Sequence, residues 1–257
     1  MTLGSWVSIP NPIIAEIMAR AGFDWLAIDM EHGPINTESM HHLIQIIDLC
    51  GVVPLVRVPN HDPFFIKRAL DAGAHGVIVP FVNTPEEARQ VQATVMYPPA
   101  GQRGMGLARA QAYGERFLAY VEEHQRRAVI IAQIEGRDGV KHITEILKAG
   151  GVDGVMIGPY DLSGSLGVPA QFDHARMREA TGRVLRAATA ASVATGFHVI
   201  RPSVEEARRR VQEGYTFIAY SSDMLMLAAS SKDAIAPLIP QRQAAPGRPR
   251  RSKGART

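Results

Sequence analysis

The chain has 257 residues, 46% of them hydrophobic and 21% charged, with a formal net charge of +3, a balance ordinary for a soluble globular protein. No apolar stretch approaches the roughly 18 residues needed to span a membrane, no N-terminal signal precedes the strand-like sequence that starts at Gly4, and one cysteine, Cys50, excludes an internal disulfide. These features fit a cytoplasmic protein kept in a reducing compartment.

A strand-like run over 4–9 opens the chain and leads into helical periodicity over 11–21, stopped at Ala21-Gly22. The apolar run 25–30 ends in Asp29-Met-Glu31-His32-Gly-Pro, and a helix over 37–49 starts at Thr37. Strand 52–58 carries Val-Val-Pro-Leu-Val and ends at Arg57; helix 62–72 stops at Gly73; strand 75–80 follows. Helix 84–95 opens with Thr84-Pro-Glu-Glu, an N-cap with proline in the first turn. Residues 96–128 form a long connection, Gly- and Arg-rich at Pro98–Gly106 and helix-like from about 114. Connections of that length in a compact domain are often functional. Strand 129–135 ends in Glu135, and helix 138–149 stops at Gly150-Gly151. Strand 154–159 runs into Gly158-Pro-Tyr160-Asp161-Leu-Ser-Gly, whose successive backbone N–H groups could grip an anion as a turn. Helix 173–191, strand 194–199, helix 203–213, strand 217–222 and a helix near 224–236 complete the series.

Strict strand–helix alternation predicts parallel strands, buried on both faces and hence continuously apolar. Eight of them predict closure into a single (β/α)8 TIM barrel, a fold of about 250 residues. The barrel is assigned residues 1–239. Residues 240–257 are read as a disordered basic tail, with six Arg or Lys and no acid. Removing those six charges takes the formal +3 to −3, so the body is mildly acidic. A basic tail can bind nucleic acid, but this one has no aromatic residue on which a base could stack, and no nucleic-acid partner is expected.

In a parallel barrel the C-terminal tips converge on one mouth. Glu135 and Asp161 would meet there, and two carboxylates in a partly dry cleft repel unless a proton, an arginine or a divalent cation compensates. The alternative is two solvated side chains at strand ends. An oxygen-rich set suits Mg²⁺ or Mn²⁺. His32 could take a proton near neutral pH, with Asp29 and Glu31 to orient it; the alternative is a loop-capping histidine. Arg57 offers a planar fork for a carboxylate or enolate oxygen, or pairs with a loop acid. His61, His124, His142 and His174 read as surface groups. No lysine stands at a strand tip, so a Schiff base is not available for enolate chemistry.

Ala21-Gly-Phe-Asp-Trp-Leu-Ala-Ile-Asp-Met-Glu-His32, Val56-Arg57, Asn60-x-Asp62-Pro63, Tyr97-Pro-Pro-Ala-Gly-x-Arg-Gly, Gln133-Ile-Glu135 and Gly158-Pro-x-Asp161-Leu-Ser stand in one order. Through them the chain resembles the HpcH/HpaI family of metal-dependent pyruvate aldolases, from about Gly4 to Ile235. The resemblance implies a homohexamer, a dimer of trimers, with the last helix packed on a neighbouring subunit. It implies Mg²⁺, Mn²⁺ or Co²⁺ held by Glu135 and Asp161, with a 2-oxo acid and an aldehyde as substrates. Arg57 would stabilise the enolate, Gln133 would lie beside the keto acid, and the backbone of Gly158, Tyr160 and Asp161 would receive its carboxylate. His32 would be the proton acceptor, Asp71 the acid that raises its basicity, with Asp29 nearby. His198 stands where the best-known members carry leucine, a position facing the aldehyde, and a polar group there suits a hydroxylated, sugar-like aldehyde. The second reading is a citrate-lyase β-like or malyl-CoA-type lyase acting on thioesters, which shares the barrel and both carboxylates. The third is a barrel that serves as a binding protein through its tail.

Overall fold

The computed structural model describes residues 1–238. Its strands are β1 (Thr2–Val7), β2 (Trp25–Asp29), β3 (Val53–Arg57), β4 (Gly76–Val79), β5 (Val129–Ile134), β6 (Gly154–Ile157), β7 (Ala194–Val199) and β8 (Phe217–Ser222). Its helices are α1 (Pro12–Arg20), α2 (Thr37–Leu49), α3 (Pro63–Ala72), α4 (Pro85–Val95), α5 (Phe117–Arg127), α6 (Arg137–Lys141), α7 (Ile143–Lys148), α8 (Pro159–Ser165), α9 (Ala175–Ala190), α10 (Val204–Glu213) and α11 (Asp223–Ile235). The strands close in sequence order, each parallel to its neighbours, with β8 returning to β1. The expected (β/α)8 barrel is therefore the fold. The reading of 240–257 as a disordered tail lies outside the described residues.

Two apolar layers hold the barrel. Trp6, Trp25, Ala27, Leu55, Ile78, Ile131, Met156, Phe217 and Ala219 fill its interior. A larger layer, including Leu26, Ile28, Val56, Ile130 and Ile218, lies between strands and helices. Interior and exterior residues alternate along each strand, as the pleat requires. Gly4 is fixed by this packing: a Cβ there would run into the Trp25 indole. The same period of two carries the inward face upward from Ala27 to Asp29, from Leu55 to Arg57, and from Ile131 to Gln133 and Glu135. Polar residues thus replace the apolar filling only in the uppermost layer.

Element ends follow the expected chemistry, with differences. Thr84 and Glu87 form a capping box at α4, and Gly73 ends α3 in the left-handed conformation at φ 103°. The cap of α2 is Asn36, which accepts from the Ser39 N–H, and Thr37 is already helical. The single helix expected over 138–149 breaks into α6 and α7 at His142, whose φ −97° and ψ 13° leave the helical basin. The turn expected after β6 is the short helix α8.

Residues 96–128 wrap beneath the barrel, at the N-terminal end of the strands. A 3-10 segment over Arg109–Gly114 packs near α3, and Arg109 donates to the Ala72 carbonyl at 3.1 Å. Arg103, 2% exposed, pairs with Asp71 at 2.7 Å, lies 4.5 Å over the Tyr97 ring and meets His124 at 3.1 Å. His124 is therefore not a surface group. Burial, reinforced by the Arg103 charge, pushes its imidazole down to about 4. A neutral ring there leaves one nitrogen to meet the Val95 carbonyl at 2.9 Å.

Candidate active site

The mouth of the barrel encloses a cavity of about 110 Å³ lined by Trp6, His32, Arg57, Gln133, Glu135, Gly158, Tyr160, Asp161 and His198, among others. Residues read from distant tips of the sequence therefore share one site. Asp29 and Arg57 are register partners on β2 and β3. Arg57 donates from Nε to Asp29 Oδ1 at 2.9 Å and from Nη2 to Oδ2 at 2.7 Å. Its remaining nitrogen, Nη1, lies 3.2 Å from Glu31 Oε2. The guanidinium also sits 4.3 Å over the Trp6 ring, a cation–π contact that fixes its plane.

Asp29 also accepts the backbone N–H of Glu31 and of His32, at 3.1 and 3.2 Å, which shapes the loop after β2. Burial alone would raise its carboxyl, but the Arg57 hydrogen bonds and charge outweigh that and hold it below the usual carboxylate range. Its oxygens therefore serve Arg57 and the loop backbone, not the His32 imidazole. That imidazole is open to solvent, with Nε2 3.9 Å from Glu31 Oε2.

Glu135 lies one residue beyond β5 and is wholly buried. Oε1 accepts the Phe81 N–H at 2.9 Å, and Oε2 accepts from the Gln133 amide. Phe81 holds φ 50°, a strained backbone for a side chain of that size, and so aims its N–H at the carboxylate. Burial first, then the charges of Glu31 and Asp161, push the Glu135 carboxyl up to about 7, against the pull of those two hydrogen bonds. Glu31 is pushed up to about 7 as well, by burial and by Asp29 and Asp161, with Arg57 opposing. Two carboxylates, Glu135 and Asp161, thus line one cavity, with Glu31 near enough to raise Glu135, and the one arginine among its lining residues is already engaged with Asp29. Gly158 makes this crowding possible, since a Cβ there would meet Glu135 Oε2.

The donor set fits a divalent cation. It is built of oxygens, carries excess negative charge, and leaves Gln133 Oε1 buried without a hydrogen-bond partner among the described residues. No three His, Cys, Asp or Glu side chains among the described residues stand close enough to form a complete cage, so water and substrate oxygens would fill part of the shell.

One expected partner is not at the mouth. Asp71 lies in the last turn of α3, which runs back from the mouth, and its carboxylate belongs to Arg103. Within one chain it does not meet His32, because the helix carries it to the opposite end of the strands. Two contributors lay outside the sequence-based set of site residues. Trp6 is one residue from the end of β1, where the period of two points it inward, and that signal was legible. Phe81 gives no sequence signal, because only its backbone acts.

Such a mouth is the equipment of a TIM-barrel enzyme that stabilises negative charge on an oxygen of a small substrate. The chain matches the family model HpcH/HpaI aldolase/citrate lyase over residues 2–230 and belongs to that family. It is similar to the 5-keto-4-deoxy-D-glucarate aldolase of Escherichia coli, 35% identical over 223 residues that cover 86% of each chain. A HpcH/HpaI aldolase/citrate lyase family protein from Burkholderia cenocepacia superposes with a TM-score of 0.88 at 34% identity, covering 92% of this chain and 94% of that one. A HpcH/HpaI aldolase from Desulfitobacterium hafniense does so with a TM-score of 0.86 at 30% identity, covering 94% and 95%. The chain is an aldolase of that family, a carbon–carbon lyase.

Proposed function

We propose that the chain interconverts a 4-hydroxy-2-oxo acid, of the 2-keto-3-deoxy sugar acid kind, with pyruvate and an aldehyde, in the cytoplasm. The observation that carries this reading is the buried Glu135, with Asp161 and Arg57 about the same cavity. Glu135 and Asp161 would hold a divalent cation, Mg²⁺, Mn²⁺ or Co²⁺. When bound, that ion supplies Lewis acidity beside the 2-oxo oxygen.

The chain's own groups account for the rest. The first backbone N–H groups of α8, at Tyr160 and Asp161, with Gly158 leaving room, would receive the substrate carboxylate. Gln133 lies against the keto-acid half. His32, exposed at the rim, would accept the proton of the 4-hydroxyl as the C3–C4 bond breaks. The bonding pair moves into the C2–C3 enolate, whose oxygen faces Arg57. Return of the proton from His32 to C3 gives pyruvate. Asp29 would act by fixing Arg57 in its fork and the His32 backbone in its turn. The similarity to a keto-deoxy-glucarate aldolase supports a hydroxylated substrate over a thioester.

An assembly is part of this proposal. Among the described residues of α11 only Asp223 is buried, while Met224, Leu225, Leu227 and Ile235 are exposed. A separate apolar groove of about 460 Å³, lined by Leu3, Val204, Ala207, Val211, Ile218 and Tyr220, is left open beside α10. Packing of α11 on a neighbouring subunit in a homohexamer would cover such surfaces.

The test of the chemistry is exchange of pyruvate methyl protons in D₂O, followed by NMR. The reading predicts exchange that needs a divalent cation and is lost in Arg57→Ala. No exchange under any metal would overturn it.

A further inference from the structure

Glu135 Oε1 accepts a peptide N–H, that of Phe81, at 2.9 Å. The same peptide plane carries the Pro80 carbonyl on its opposite edge. That carbonyl is met by His61, whose Nε2 lies 2.6 Å away. A carbonyl can only accept, so Nε2 carries the hydrogen and donates it. One peptide unit is therefore held at both edges, by His61 on its oxygen and by Glu135 on its nitrogen.

His61 is half-buried and stands on a fixed loop between β3 and α3. Asn60 Oδ1 accepts the Asp62 N–H at 2.9 Å, and Asp62 Oδ1 accepts the Phe64 N–H at 2.9 Å, which caps α3. The run Asn60-x-Asp62-Pro63 thus pins the backbone on both sides of the position that His61 occupies. The turn that His61 reaches is tied elsewhere too. Asn83 Nδ2 donates to the Phe81 carbonyl at 2.9 Å, and the Val82 N–H donates to the Gln133 carbonyl at 3.3 Å.

Phe81 needs this support, because its φ of 50° is left-handed. A residue with a Cβ keeps that conformation only where its surroundings enforce it. Rotating the central peptide of a turn by about half a circle exchanges a positive φ in the following residue for a negative one, as between turn types II and I. Here the rotation would relieve Phe81, take its N–H away from Oε1 and bring the Pro80 carbonyl toward the carboxylate instead. It would also break the His61 hydrogen bond, so His61 opposes it. With Oε1 anchored, Oε2 is left on the cavity side, accepting from the Gln133 amide beside Gly158.

We infer that His61 is a positioning residue for Glu135: by holding the Pro80 carbonyl it keeps the Phe81 N–H on Oε1 and so keeps the carboxylate aimed into the cavity. The inference rests on the reading of Glu135 as a cation ligand and adds to it a residue on the loop after β3. His61 is not among the residues that line the cavity, and it acts only through the Pro80–Phe81 peptide.

The experiment is titration of the EDTA-stripped full chain with Mn²⁺ alone, with free Mn²⁺ read by EPR and thermal unfolding as a check on each fold. His61→Phe keeps the bulk of the ring and removes the donor, and His61→Gln restores an N–H at similar reach. His142→Phe is the matched control. His142 Nδ1 lies 3.0 Å from the Asn83 carbonyl, so it holds the same turn, but at a peptide whose N–H goes to Glu87. The Kd for Mn²⁺ is expected to rise about tenfold in His61→Phe, and by less than about threefold in His61→Gln and in His142→Phe. Should His61→Phe not fold, His61→Ala is read against the same limits. A Kd in His61→Phe within about twofold of wild type, or an equal loss in His61→Gln or His142→Phe, would overturn the inference. Wild type that binds no Mn²⁺ rejects the cation reading and this inference together. Wild type that binds it, with unmoved His61 variants, rejects the role of His61 alone.

Discussion

Arg57 and Asp29 are joined at two points, with Nε 2.9 Å from Oδ1 and Nη2 2.7 Å from Oδ2, on neighbouring strand tips at the same register. A two-point pair fixes the guanidinium plane as well as its position. Lysine keeps the charge but not the fork. Arg57→Lys is expected to lower kcat by about 10²–10³, in line with loss of one preorganised donor to a developing oxyanion. Steady-state kinetics, with thermal unfolding as a control, check this. A loss under about threefold would remove Arg57 from oxyanion stabilisation.

The raised carboxyl of Glu135 makes stability depend on pH. Its folded value, about 7, lies above the ordinary glutamate value of 4.5. Between those values the folded chain holds a proton that the unfolded chain has released, so stability falls as pH rises from about 5 to 7. In EDTA, Tm is expected to drop across that window. Glu135→Gln should flatten part of the drop, with Glu31, also pushed up to about 7, contributing the remainder. Added Mn²⁺ should raise the wild-type Tm at pH 8 and not that of Glu135→Gln, because a dication reverses the repulsion. Differential scanning fluorimetry over pH 5–8 reads all three.

Beneath the barrel, Asp71 and Arg103 form a buried pair whose worth can be measured. The Arg103 side chain has no exposed surface, so removing Asp71 leaves a buried guanidinium without its carboxylate. Asp71→Asn is expected to cost about 3 kcal/mol of stability. Arg103→Met should cost less than the sum suggests when combined with it, because the two act through one contact. A denaturation double-mutant cycle measures the coupling, and an additive result would contradict the pairing.

Leu227 on α11 is 55% exposed in the single chain. If α11 is covered in an assembly, Leu227→Glu buries a charge at the contact and shifts the mass in solution below that of the wild-type oligomer. Light scattering after size exclusion decides. An unchanged mass would take α11 out of the interface.

Much of this site was legible in the sequence because strand periodicity is a short-range property. Ala27 to Asp29 and Ile131 to Gln133 and Glu135 are steps of two, so a residue known to face the barrel interior predicts the polar one above it. Trp6 follows the same rule, and its role under Arg57 could have been read that way. The burial of His124 could not, since it depends on where 96–128 packs against α3, a contact between segments far apart in sequence. Within one chain Asp71 lies away from His32 for a geometric reason: a helix that leaves the mouth delivers its last turn to the far end of the strands, where Arg103 meets it. The contribution of Phe81 is a backbone N–H aimed by a strained φ, and side-chain identity carries no trace of it.

The most direct test of the central claim is retro-aldol cleavage of a 2-keto-3-deoxy sugar acid by enzyme stripped with EDTA and then reloaded with Mg²⁺, Mn²⁺ or Co²⁺, with pyruvate and aldehyde both quantified. The account predicts loss of turnover on stripping, recovery on reloading, and equimolar pyruvate and aldehyde. Full turnover in EDTA, or turnover restricted to a CoA thioester, would contradict it.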